Sequence, residues 1–147
     1  MLEDAFSEVY IKFKLNFYKG IFERLKERES SLSASEAYAA EVIYALQDPT
    51  ISQFAHFLQI SQPNATYKVN TLMRKGYVEK VNSSVDKREY HLRPTAKFLS
   101  YYAINQNYQK TVMERIRARF TEEETLELER MLSIISRELM EENSDRL

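Results

Sequence analysis

The sequence predicts a mainly α-helical chain carrying one small β-hairpin, and three observations lead there. Only 2 glycines and 3 prolines occur in 147 residues, too few for a turn-rich β fold. Apolar residues recur every three or four positions over most of the chain, the spacing of one helical face. Strict alternation is confined to two short runs on either side of a charged stretch near Val85.

Taken in order, Leu2, Phe6, Val9, Tyr10, Phe13, Phe17, Ile21, Phe22 and Leu25 place helix 1 from the start to about Glu27. Ile11, Leu15 and Tyr18 widen its apolar arc beyond what one small core needs, which points to a second buried surface supplied by a partner subunit. Gly20 interrupts it at a cost of about 1 kcal/mol relative to Ala; either another backbone comes close there or the glycine is simply tolerated. After the serine-rich break from Ser30 to Ser33, Ser33 and Glu36 match the S-x-x-E capping box and start helix 2, about Ala34 to Leu46. Asp48-Pro49 ends it. Thr50 with Gln53 repeats the box before Ile51, Phe54, Ala55 and Leu58, a short helix 3. Ser61 caps helix 4, with Pro63 in the first turn, where a missing N–H removes no helical bond. Its inward face is Ala65, Val69 and Leu72, with Met73 beside them. Gly76 stands where a left-handed C-terminal cap falls. Tyr77 to Val81 and Glu89 to Leu92 then alternate as the strands of a hairpin with a charged tip. Pro94 and Thr95 open a long helix through Leu99, Tyr102, Ile104 and Val112 to about Phe120. Thr121 and Glu124 cap a last helix whose apolar surface is Leu126, Leu128, Met131, Leu132, Ile134, Ile135, Leu139 and Met140.

A chain of this length hides roughly two-thirds of its unfolded surface, so a single domain over 1–147 is expected. No run approaches the roughly 18 apolar residues of a membrane span, and MLEDAFSEVY has acids where a signal peptide needs a basic and then an apolar segment; a cytoplasmic location without a membrane partner is expected. The absence of cysteine removes disulfides, thiolate zinc sites, thiol nucleophiles and thiol redox sensing. His56 lies off the apolar face of helix 3 and His91 alternates toward solvent, neither beside a metal or catalytic partner, so no metal or cofactor is expected. Without a phosphate-binding glycine loop, nucleophile elbow or clear paired-carboxylate site, catalysis is not expected either.

The net charge of −1 conceals a polarised chain. Residues 62 to 97 hold eight Lys/Arg (Lys68, Arg74, Lys75, Lys80, Lys87, Arg88, Arg93, Lys97) against Glu79, Asp86 and Glu89, whereas from Thr121 onward nine acids face three bases. Helices 3 and 4 are joined by only a few residues around Gln59-Ile60-Ser61, the spacing of a helix-turn-helix. The outer face of helix 4 carries Gln62, Asn64, Thr66, Tyr67, Lys68, Asn70 and Thr71. Amides there can pair with adenine edges, while Lys68, Arg74 and Lys75 suit phosphates. The same residues also make an ordinary solvated helix face.

The stretch Leu58-Gln59-Ile60-Ser61-Gln62-Pro63-Asn64-Ala65-Thr66-Tyr67-Lys68-Val69-Asn70-Thr71-Leu72-Met73-Arg74-Lys75-Gly76-Tyr77-Val78 resembles the recognition-helix region of the MarR family of winged-helix regulators. Asp86-Lys87-Arg88 resembles that family's wing-tip D-x-R element, followed at the expected distance by Leu92 and Thr95. Leu32-Ser33 with Glu36 resembles its L-T-x-x-Q opening of helix 2. The matches run from about Leu32 to Lys97. The chain departs from the pattern at Phe98, where the family often has glycine, at Pro94, where it has an apolar residue, and at Met73, where it has glutamate.

The resemblance implies a winged helix-turn-helix lobe at about 32–97 and dimerisation helices at about 1–28 and 95–147. It implies a homodimer that binds double-stranded DNA at a pseudo-palindromic operator as a repressor. Helix 4 would lie in the major groove, and Arg88, steered by Asp86, in the adjacent minor groove, whose negative potential favours a guanidinium. The implied DNA-contacting residues are Ser61, Gln62, Asn64, Thr66, Tyr67, Lys68, Asn70, Arg74, Lys75, Asp86, Lys87 and Arg88. A small organic effector would sit among Phe13, Phe17, Tyr38 and Tyr102, if there is an effector at all. The alternative is a winged-helix module whose basic lobe meets an acidic protein; duplex binding that collapses with salt separates the two.

Overall fold

The computed structural model describes residues 1–25, 32–83, 85 and 88–140. Helix α1 spans Leu2–Leu25, α2 Ala34–Ala45, α3 Ile51–Leu58 and α4 Gln62–Arg74. Strands β1 (Val78–Asn82) and β2 (Tyr90–Pro94) follow, then α5 (Ala96–Arg119) and α6 (Glu122–Ile134), which ends in a π-helical turn, Ile135–Leu139. The chain forms two compact units, Met1–Asn105 and Gln106–Leu147, with the boundary inside α5.

Side-chain caps set the helix starts. Ser33, Thr50 and Thr121 each accept the backbone N–H three residues on, while Glu36, Gln53 and Glu124 reach back to the cap residue's own N–H, so the three expected boxes are all formed. Ser61 caps α4 by accepting the Asn64 N–H at 3.3 Å. The turn between α3 and α4 is made without glycine: Gln59 takes a left-handed conformation at φ 54°, and its N–H and that of Ile60 return to the carbonyls of His56 and Ala55. This reversal leaves only Gln59, Ile60 and Ser61 between the two helices.

The core of the first unit lies where α2, α3 and α4 meet the hairpin. Ile43, Phe54, Ala65, Val69, Leu72, Leu92 and Phe98 are fully buried, so the inward face expected for α4 is the one observed. Of the apolar residues that open α5, Leu99 is exposed, whereas its neighbour Phe98 fills the core, its ring 6.1 Å from that of Tyr44. Gly20 is buried beside Ile21.

The hairpin is antiparallel, with Val78 opposite Pro94 and Asn82 opposite Tyr90. Pro94 therefore closes β2 rather than opening α5. At the end of a two-stranded ribbon its missing N–H is no loss. His91 also departs from expectation. It is half-buried, and its Nδ1 donates to the Asp48 carbonyl at 2.7 Å. The cause is a third extended piece: Leu92 N–H donates to Pro49 C=O at 2.7 Å and Thr50 bridges His91, which turns the His91 side of β2 toward the α2–α3 connection. That connection holds two successive left-handed residues, Gln47 and Asp48, and Arg93 pins Asp48 through Nε and Nη2 at 3.1 and 2.7 Å.

In the second unit, the last helix presents the expected apolar residues to its surface: Leu126, Met131, Leu132, Ile135, Leu139 and Met140 are all exposed. An open groove of about 1190 Å³ runs along its first turns, lined by Phe120, Leu126, Leu128 and Met131 among acidic side chains.

Candidate nucleic-acid interface

One face of α4 is buried and the opposite face is displayed. Ala65, Val69 and Leu72 are at 0% exposure, whereas Gln62, Asn64, Tyr67, Asn70 and Arg74 are exposed, Tyr67 at 70%. The row is polar and faces away from the core, as a helix entering a groove requires. Gln62 Oε1 accepts from Ser52 Oγ at 3.2 Å, which ties the first turn of α4 to α3. Thr71 spends its hydroxyl on the Tyr67 carbonyl at 3.0 Å and accepts from Arg74 Nη2 at 3.3 Å. Thr66 is half-buried, and the Ser61 hydroxyl is engaged as the cap.

Two expected phosphate contacts are held by α2 instead of standing clear. Lys68 Nζ donates to Ser35 Oγ at 3.4 Å, and Lys75 Nζ meets Glu36 Oε2 at 2.7 Å. The Glu36 carboxylate also accepts the Ser33 N–H at 2.9 Å. Burial pushes its pKa up, but the hydrogen bonds from Lys75 and Ser33 and the Lys75 charge outweigh that and leave it below the usual carboxylate value.

The end of α4 is fastened to the start of α5. Gly76 turns at φ +81°, Thr95 Oγ1 donates to the Gly76 carbonyl at 2.6 Å, and Thr95 N–H donates to Tyr77 C=O at 3.0 Å. Lys97 Nζ donates to the Lys75 carbonyl at 2.9 Å and lies 4.5 Å from the Tyr77 ring centre, placing a cation at the negative end of α4. Spacing along the chain did not single out this junction or the role of Glu36, because both depend on residues about 20 to 40 positions apart.

In the wing, Arg88 is exposed in the turn before β2, and Val85 at the tip is 95% exposed. Asp86 and Lys87 lie outside the described residues. Of the four aromatic pocket candidates, Phe17 and Tyr38 come together at 6.3 Å between ring centres, with Phe13 half-buried in the same helix. Tyr102 belongs to α5, but its side chain lies outside those described. A separate cleft of about 440 Å³ is lined by Tyr44, Asp48, Arg93, Pro94 and Leu99. Among the described residues there is no cluster of His, Asp and Glu fit to hold a metal ion, and no helix is long and apolar enough to cross a membrane.

A capped three-helix core with a tight α3–α4 turn and a hairpin behind α4 defines a winged helix-turn-helix protein. Its residues 41–90 match the model of the MarR family. Solved structures agree over nearly the whole chain. FabT of Streptococcus pneumoniae, crystallised in complex with DNA, is 25% identical over 94% of both chains, with a TM-score of 0.56. A MarR family protein from Bacillus stearothermophilus is 16% identical over 94% of this chain and 92% of its own, TM-score 0.61. A transcriptional regulator of Thermotoga maritima is 18% identical over 97% and 95%, TM-score 0.59. The latter two likenesses speak for the fold alone. No curated protein matches the chain.

Proposed function

We propose that the protein is a DNA-binding transcriptional regulator that acts as a homodimer and represses by occupying a pseudo-palindromic operator. The observation that carries this reading is the polar row on α4, set outward by the complete burial of Ala65, Val69 and Leu72. The likeness to a DNA-bound relative at 25% identity over 94% of the chain supports it. Helix α4 reads the major groove through Gln62, Asn64, Tyr67 and Asn70, Lys68 and Arg74 meet phosphates, and Arg88 enters the minor groove.

Dimerisation uses α1, α5 and α6. Leu2, Phe6, Val9, Ile11 and Leu15 on α1 are exposed within the first unit, as are Leu126 and Leu132 within the second, and apolar surface of this extent suits a homodimer interface. A small hydrophobic acid held near Phe13, Phe17 and Tyr38 releases the operator by favouring a lobe separation that misfits the half-sites. The test is footprinting and fluorescence anisotropy on duplexes from the DNA flanking the protein's own gene. Protection of a two-fold symmetric site, with affinity falling steeply as salt rises, is the expected result. Salt-insensitive or undetectable duplex binding would overturn the proposal.

A further inference from the structure

The ion pair between α2 and α4 exceeds what the start of α2 needs. A capping box asks the residue at position 36 only to accept the Ser33 N–H, which glutamine does as well as glutamate. Glutamate adds a charge, and the oxygen that accepts Ser33 N–H at 2.9 Å also receives Lys75 Nζ at 2.7 Å. Lys75 and Glu36 side chains are 30% and 23% exposed, so solvent screens the pair only partly. A phosphate approaching Lys75 must displace a carboxylate fixed to the same scaffold, and such a tethered competitor acts at a high effective concentration. Lys68 differs. Its partner from the same turn is the uncharged Ser35 hydroxyl at 3.4 Å, which leaves the ammonium charge available to a phosphate.

On the reading of α4 as a duplex-binding helix, on which this inference rests, we propose that Glu36 is a positioning residue that tethers Lys75 and keeps its charge out of the phosphate contacts. It thereby sets the sequence-independent affinity of the protein for duplex DNA. Base contacts made by the exposed α4 row are untouched, since the Lys75 ammonium that Glu36 holds belongs to the C-cap residue, just past the end of α4 and away from Gln62 and Asn64 in its first turn.

The experiment measures affinity for a random-sequence duplex between about 50 and 200 mM salt in the full-length protein and in E36Q, K75Q and the double variant. Each phosphate contact contributes about 0.9 to the slope of log affinity against log salt, which is about a 3.5-fold loss of affinity over this range. K75Q should keep the parent slope, E36Q should steepen it by about 0.9, and E36Q/K75Q should return to the parent value. A slope lowered by about 0.9 in K75Q alone, or a double variant as steep as E36Q, overturns the inference. Should E36Q fail to fold, K75Q decides by itself, because an unchanged slope supports the tether and a reduced one refutes it. Parent protein without salt-dependent duplex binding overturns the proposed function as well, whereas normal parent binding with an unmoved E36Q slope overturns the tether alone.

Discussion

Replacing Phe98 with alanine tests whether the lobe is held together where its hairpin, α2 and α5 converge. The ring is completely buried, and its centre lies 6.1 Å from that of Tyr44 at an interplanar angle of 43°. Truncation removes the transfer free energy of the ring and leaves a void that α2 and β2 cannot close without giving up their hydrogen bonds. Buried Phe→Ala changes cost about 3–5 kcal/mol. For a chain of this size each kcal/mol lowers Tm by about 3 °C, so the variant should melt about 10–15 °C below the parent. Urea unfolding followed by far-UV circular dichroism, at one fixed protein concentration, measures the loss directly, with an unchanged m-value showing that the denatured state is the same. Phe98→Leu should retain most of the stability. A loss below about 1 kcal/mol for Phe98→Ala would refute the packing, because it would mean that the site collapses freely around the missing ring.

Four further outcomes are expected. Gly76→Ala should cost about 1–2 kcal/mol by urea unfolding from backbone conformation alone, since a Cβ there meets only Lys97 Cδ at 3.7 Å while φ is +81°. Because the folded pKa of Glu36 lies below its ordinary value of 4.5, its contribution is fully present above pH 4.5 and is lost as pH falls through the folded value. A stability–pH profile of E36Q should therefore converge on the parent in acid, and parallel curves would exclude the linkage. Arg88→Ala should weaken operator binding by about 1–3 kcal/mol relative to a scrambled duplex, read by anisotropy, and an equal loss on both would reduce Arg88 to a phosphate contact. Leu132→Asp, at a site 50% exposed on α6, should shift light-scattering mass from dimer to monomer, and an unchanged dimer would place the interface elsewhere.

Local signals were legible and long-range ones were not. The cap pairs Ser33/Glu36, Thr50/Gln53 and Thr121/Glu124 could be read because each is closed within four residues. The α4 face was legible because Ala65, Val69 and Leu72, with Met73 beside them, form one apolar stripe at helical spacing in a mostly polar helix. In α5, Phe98 and Leu99 are equally apolar and differ only by about 100° around the helix, so the choice between them fell to Tyr44 and the hairpin, which periodicity does not encode. The solvent-facing position expected for His91 fails for a related reason: two-strand alternation assigns one side of β2 to solvent, and the Pro49–Thr50 segment that covers it comes from 41 to 43 residues earlier. The partner of Lys75 escaped notice because it lies 39 positions away on α2, and charge counting treats every lysine of a basic stretch as equivalent.

The bolting of α4 to α5 has a consequence for how such a lobe can change over generations. With Thr95 on the Gly76 carbonyl, Lys97 on the Lys75 carbonyl and Tyr77 clasped between them, the first turn of α5 and the last turn of α4 form one joint. A rotation of that turn of α5 carries α4 with it, like the handle of a key. Asn64, Tyr67 and Asn70, by contrast, are exposed and take no part in these bonds, so they can be exchanged without loosening the joint. On the proposed reading of α4 as the helix that contacts DNA, sequence preference and the aim of the helix are therefore separable traits. The first is open to single substitutions on α4, and the second is reachable only through the residues that make the joint.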